Sequence, residues 1–150
     1  MKTRFIAAAA VMALLSACAT TGETEEDFST TKLAEQAIGQ TARDRVFFSF
    51  DKAELDQDAI LTLKAQALYL QQNPEKTVRI EGHADERGTT EYNMALGARR
   101  ANIVKKYLTT QGIDASRITT TSYGKERPAV IGNNEEAWSQ NRRAVTVIQD

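Results

Sequence analysis

Apolar and polar positions follow two periods along this chain, and the switches between them mark out its elements. The run Val46-Phe47-Phe48-Ser49-Phe50 is aromatic and β-branched and predicts a buried strand over 46–50, ending at Asp51. Over 55–71, Ile60, Leu63, Ala67 and Leu70 recur at helical spacing. Asn73-Pro74 stops that pattern, because the residue before a proline is pushed out of the α region. Val78-Arg79-Ile80-Glu81-Gly82 alternates as a strand covered on one face does. The loop 83–89 then leads into a second helix reaching to about 110, with Leu96, Ala101, Val104 and Leu108 on one face and Arg99, Lys105 and Lys106 largely off it. Gln111-Gly112 closes this helix, the glycine being free to take the left-handed cap. A strand over 118–122, a glycine-containing loop, a short helix over 135–140 and a last strand over 144–148 complete the order β-α-β-α-β-α-β. The fold class this predicts is α/β, an α+β sandwich: one mixed sheet with two main helices packed on one face.

The first residues follow a different logic. Lys2 and Arg4 precede an apolar run over 5–15, then the small residues Ser16 and Ala17, then Cys18. The run falls short of the roughly 20 apolar residues that span a bilayer, so 1–17 reads as a secretory signal peptide. Cys18 is the only cysteine in the chain. A free thiol or an intermolecular disulfide would not explain its place against the signal. Leu15-Ser16-Ala17-Cys18 resembles the lipobox of bacterial lipoproteins. That resemblance implies cleavage before Cys18, a thioether-linked diacylglycerol and an acylated new N-terminus. Buried acyl chains contribute about 0.8 kcal/mol per CH₂, so such an anchor is effectively permanent. Ala19 and Thr20 lack the aspartate that retains many enterobacterial lipoproteins in the inner membrane, so the resemblance implies the outer membrane, with the domain in the periplasm.

Residues 18–42 are rich in Thr and Glu, with Glu23, Glu25, Glu26 and Asp27 clustered and little to form a core, and read as a flexible tether. A coil of that length has a typical end-to-end distance of roughly 25 Å. The folded domain is expected over 43–150. Acids and bases nearly cancel, 20 against 19, and are interspersed. That excludes the basic stripe that binding to a phosphate backbone requires, so nucleic acid is not an expected partner. No heptad repeat runs through the tether or the domain, which makes a monomer the expectation.

The chemistry is concentrated in Glu81-Gly82-His83-Ala84-Asp85-Glu86-Arg87-Gly88-Thr89-Thr90-Glu91-Tyr92-Asn93 and Ala95-Leu96-Gly97-Ala98-Arg99-Arg100-Ala101. Taken singly, these residues have plain structural readings: Asp85 as a turn or capping acid, Arg100 as a solvated helix charge, Thr89 as a helix cap. Phe50 and Leu96 are equally residue types of a core. As a block, however, they resemble the OmpA-like peptidoglycan-binding domain family, and Phe50-Asp51 and Asn141-Arg142-Arg143 fall where that family has its FD and NRR segments. The resemblance covers about 46–147. It implies recognition of the diaminopimelate stem peptide of peptidoglycan, with Asp85 and Arg100 as the main ligands. Phe50 and Asp51 would border the pocket, Thr89 and Asn93 would hydrogen-bond the ligand or brace its loop, and Leu96 would line the wall. The chemistry suits that role, because diaminopimelate ends in a zwitterionic centre. An aspartate accepts hydrogen bonds from the ammonium, and an arginine holds the carboxylate bidentately. Within that family the motif is nearest the peptidoglycan-associated lipoproteins. That adds the β-propeller TolB and the Tol complex as implied partners, and envelope integrity and constriction in division as the implied role.

Two rival readings start from the same residues. His83 with Asp85 and Glu86 has the composition of a metal or hydrolytic site. His83 is the only histidine, however, and no serine–histidine pairing stands at a recognisable motif, so no enzyme activity, metal or cofactor is expected. The second rival is an OmpA-like lipoprotein of a secretion or motility machine. Arg142 either shapes the pocket or, with Asn141 and Arg143, orders the entry to the last strand; the sequence leaves both open.

Overall fold

The computed structural model describes residues 44–149. The expected signal peptide over 1–17, the expected lipidation at Cys18 and the expected tether over 18–42 lie outside the described residues. The elements, in chain order, are β1 (Arg45–Phe47), α1 (Gln57–Gln72), β2 (Thr77–His83), α2 (Thr90–Thr110), a 3₁₀ turn (Ala115–Arg117), β3 (Ile118–Gly124), α3 (Glu135–Asn141) and β4 (Arg143–Gln149). The strands form one four-stranded sheet in the order β1-β4-β2-β3. β4 runs antiparallel to both β1 and β2, while β2 and β3 pair in parallel, so the sheet is mixed as expected.

The alternation read in β2 sets which face is covered. Thr146 and Ala144 of β4 stand in register with Ile80 and Gly82, and Val78, Ile80 and Ala144 are buried. Leu63, Ala67 and Leu70 of α1 and Ala101, Val104 and Leu108 of α2 join these residues in one core cluster, so both helices serve the same sheet face. The end signals act as read. Asp56 caps α1 by accepting from the Ala59 N–H at 2.8 Å, and the helix stops at Gln72 with Asn73 as its C-cap. Gly112, at φ +91°, takes the left-handed position after α2.

The first strand departs from the expectation of 46–50: its ladder ends at Phe47. Beyond it the Phe48 N–H donates to the Arg142 carbonyl at 2.9 Å, and a turn closes with the Lys52 N–H on the Ser49 carbonyl. Asp51 stands in the left-handed region at φ +57°, which Asp tolerates better than most side chains. The aromatic run therefore splits, with Phe48 buried and Phe50 56% exposed.

One close approach positions the site. A Cβ on Gly82 would stand 1.8 Å from the Gly97 carbonyl oxygen, so α2 crosses β2 with no side chain between them. The start of α2 is thereby pressed onto the C-terminal end of β2, where the 84–89 loop leaves the sheet.

Candidate ligand-binding site

At that end of the sheet a pocket of about 180 Å³ is lined by Phe50, Asp51, Asp85, Arg87, Gly88, Tyr92, Asn93 and Leu96. Three segments build it: the turn after β1, the loop after β2 and the first two turns of α2. Thr89 starts the helix, its hydroxyl accepting from the Tyr92 N–H at 3.2 Å. One turn on, Asn93 is buried and its amide donates to the carbonyls of Arg87 (2.8 Å) and Thr89 (3.0 Å), which fixes the loop against the helix. On the opposite rim the Tyr92 hydroxyl donates to Asp51 and ties the helix to the turn after β1.

Asp85 is the charged centre of the pocket, with its side chain 5% exposed. Its Oδ1 accepts from the backbone N–H and Nε of Arg87, both at 3.1 Å, and its Oδ2 from Arg87 Nη2 at 2.7 Å. Arg142 Nη1 stands 3.5 Å from the same Oδ2. Burial pushes the Asp85 carboxyl up, but the hydrogen bonds from Arg87 and the charges of Arg87 and Arg142 outweigh it and hold the group below the usual carboxylate range. Arg142 is braced in turn, donating from Nε to the Phe48 carbonyl at 2.9 Å and from Nη2 to Glu135.

Of the seven residues singled out in the sequence, five share this pocket: Asp85, Phe50, Asp51, Asn93 and Leu96. Thr89 caps the helix at its edge. Arg100 lies beneath the wall rather than in it, fully buried, donating to the carbonyls of Lys52 (2.9 Å), His83 (2.8 Å) and Ser49 (3.1 Å). Burial lowers its pKa to about 10 against the favourable charge of Asp85. The sequence reading passed over Arg87 and Gly88 as pocket residues and gave Tyr92 no place in the site. An arginine two residues after a loop aspartate fits the Asx-type turn seen here and was the available signal. Both readings of Asn141-Arg142-Arg143 hold. Arg142 reaches Asp85, while the Asn141 side chain, at the end of α3 where the chain enters β4, pins Ala129 and Val130 of the preceding loop (2.7–3.0 Å).

His83, Asp85 and Glu86 are not brought together as a metal site. The His83 ring packs on Tyr123 with centroids 5.5 Å apart, and Glu86 accepts from the Trp138 indole at 3.0 Å.

Residues 47–142, spanning β2, β3, all three helices and every residue of the pocket, match the family model described as the OmpA family. The chain belongs to the OmpA family. This OmpA-family chain is 48% identical over 120 residues to a peptidoglycan-associated lipoprotein of Agrobacterium fabrum, covering 80% of this chain and 68% of that one. It is 42% identical over 146 residues to one of Pasteurella multocida, covering 95% of each. For several such relatives the chain spans 62 to 68% of their length. The crystal structure of the peptidoglycan-associated lipoprotein from Burkholderia pseudomallei has a TM-score of 0.69 and 40% identity, covering 71% of this chain and 90% of that one. The mixed sheet with helices on one face is thus the architecture of the OmpA-like domain.

Proposed function

We propose that this protein binds peptidoglycan non-covalently through the diaminopimelate stem peptide, and that acylated Cys18 ties it to the outer membrane. The observation that carries the reading is Asp85: a nearly buried carboxylate, held ionised, facing a small pocket and already paired with a guanidinium between aromatic rings. A site that holds one cation this way suits the ammonium of a zwitterionic amino-acid centre. Arg100, buried behind the wall with Nε, Nη1 and Nη2 all on carbonyls, supports the pocket from beneath and adds positive charge behind it. The names of the relatives point the same way. No bond is made or broken in this reading; the protein is an adaptor between lipid and wall. TolB and the Tol complex, and support of envelope integrity and constriction in division, complete the role. The protein acts as a monomer.

The test is co-sedimentation of the purified full chain with diaminopimelate-type sacculi, beside Asp85→Ala with its fold checked by circular dichroism. Removing one partner of a buried charged contact weakens binding by roughly 2–5 kcal/mol, so Asp85→Ala should stay in the supernatant. Equal sedimentation of the folded variant removes Asp85 from the site. Release of soluble muropeptides, abolished by a chelator, replaces the adaptor with a hydrolase.

A further inference from the structure

Arg87 concentrates more of the pocket's chemistry than any residue read from the sequence. Its guanidinium carbon stands 3.8 Å from the centroid of Phe50 and 4.0 Å from that of Trp138, so two aromatic faces from distant parts of the chain close on one cation. The same guanidinium forks onto both oxygens of Asp85. With the Arg87 backbone N–H on Oδ1 and Arg142 beside Oδ2, each oxygen is engaged by the protein itself. An ammonium arriving from outside therefore meets a carboxylate already paired and an aromatic slot already filled.

We propose that Arg87 is an intramolecular occupant of the ammonium subsite, a side-chain plug that a ligand displaces from Asp85. The inference rests on the reading of Asp85 as the ammonium acceptor. Geometry permits the exchange. The loop backbone is held independently, through the Arg87 carbonyl on Asn93, while the side chain is 30% exposed and bonded only to Asp85. The guanidinium can swing out without moving the loop. Binding is then an exchange of cations, and the pocket rejects simple amines. A lone ammonium cannot match a forked guanidinium between two rings, whereas a zwitterion brings a second anchor of its own. Trp138 is the only tryptophan in the chain, so withdrawal of Arg87 from its face is read directly as a change in emission.

The experiment compares the full chain in detergent with Arg87→Ala, using meso-diaminopimelate by calorimetry and guanidinium chloride at low millimolar concentration by Trp138 emission. Arg87→Met, which keeps the apolar packing, carries the same comparison if the alanine variant fails to fold. Emptying the slot should tighten meso-diaminopimelate binding by roughly tenfold, since apparent affinity scales with the fraction of competent protein. Free guanidinium should refill the variant's slot, shifting its emission and competing with meso-diaminopimelate, and should do neither in the wild type. Unchanged or weaker meso-diaminopimelate binding by the variant overturns the plug and makes Arg87 a wall or a ligand contact. If neither protein binds meso-diaminopimelate, the diaminopimelate reading falls. The guanidinium arm then decides the plug alone: a response confined to the variant supports it, and silence overturns it.

Discussion

Arg100 of α2 reaches two further segments at once. Its bonds to Ser49, Lys52 and His83 staple the turn after β1 to the end of β2, and its guanidinium lies 5.2 Å from the ring of Phe48. Removing the side chain leaves those carbonyls without their donor in a site where an unmet buried acceptor costs about 1–3 kcal/mol. Arg100→Ala should therefore destabilise the domain by about 3 kcal/mol or more in urea unfolding. Arg100→Lys should recover little, because a point ammonium cannot span carbonyls on separate segments. A loss below about 1 kcal/mol for the alanine variant would show that water replaces the staple. Phe50, Asp51, Asp85, Asn93 and Leu96 of the pocket were legible through the family resemblance, while Arg87, Gly88 and Tyr92 were not singled out. The burden on Arg100 was not legible, because its partners are carbonyls 17 to 51 residues away, and a carbonyl leaves no trace in a sequence.

Between elements, the contact that decides the pocket's shape is the bare crossing of α2 over β2. A methyl on Gly82 would meet the backbone of Gly97, which no rotamer change relieves, and one on Gly97 would meet Ser122 Oγ at 2.3 Å and the Gly82 carbonyl at 2.9 Å. Gly82→Ala should force the helix off the sheet, lowering stability by about 1–3 kcal/mol or more and weakening ligand binding through the displaced Asn93 and Leu96. Thermal melts and sacculus co-sedimentation of the variant would read both; wild-type behaviour in each would mean that the crossing has slack. Helix and strand periods made almost every element legible, including the caps at Asn73 and Gly112. The error at β1 has a physical source. A run of aromatics predicts burial on both faces, but the chain turns at Asp51, and this lifts Phe50 to the pocket rim. Gln66, fully buried in α1, accepts from the Thr146 hydroxyl at 2.7 Å; a polar residue at a core position breaks the periodicity that would otherwise announce it.

Across the whole domain the buried charge is one-sided: Arg100, Arg142 and Arg143 are buried, with Asp85 the only buried carboxylate among the described residues. Backbone carbonyls take up much of this excess, including those of Arg127 and Asn141 for Arg143. His83 sits in that field. Its pKa falls to about 4, first through burial and then through the charges of Arg143, Arg127 and Arg45, with the Arg127 backbone acting the opposite way. Because the folded value lies below the ordinary 6.5, the unfolded chain takes up a proton that the fold refuses. The stability due to neutral His83 is complete above about pH 6.5 and is lost as pH falls towards 4, by up to about 3 kcal/mol. Asp85, whose pKa is held below 3.8, loses its contribution only at lower pH, so the two windows separate. His83 is the only histidine. The urea midpoint should therefore decline between pH 6.5 and 4.5 in the wild type and stay nearly level in His83→Phe, which keeps the ring against Tyr123 and the carbonyl that Arg100 holds. A decline of equal slope in both proteins would place the titration elsewhere and show that His83 is protonated in the fold at no special cost.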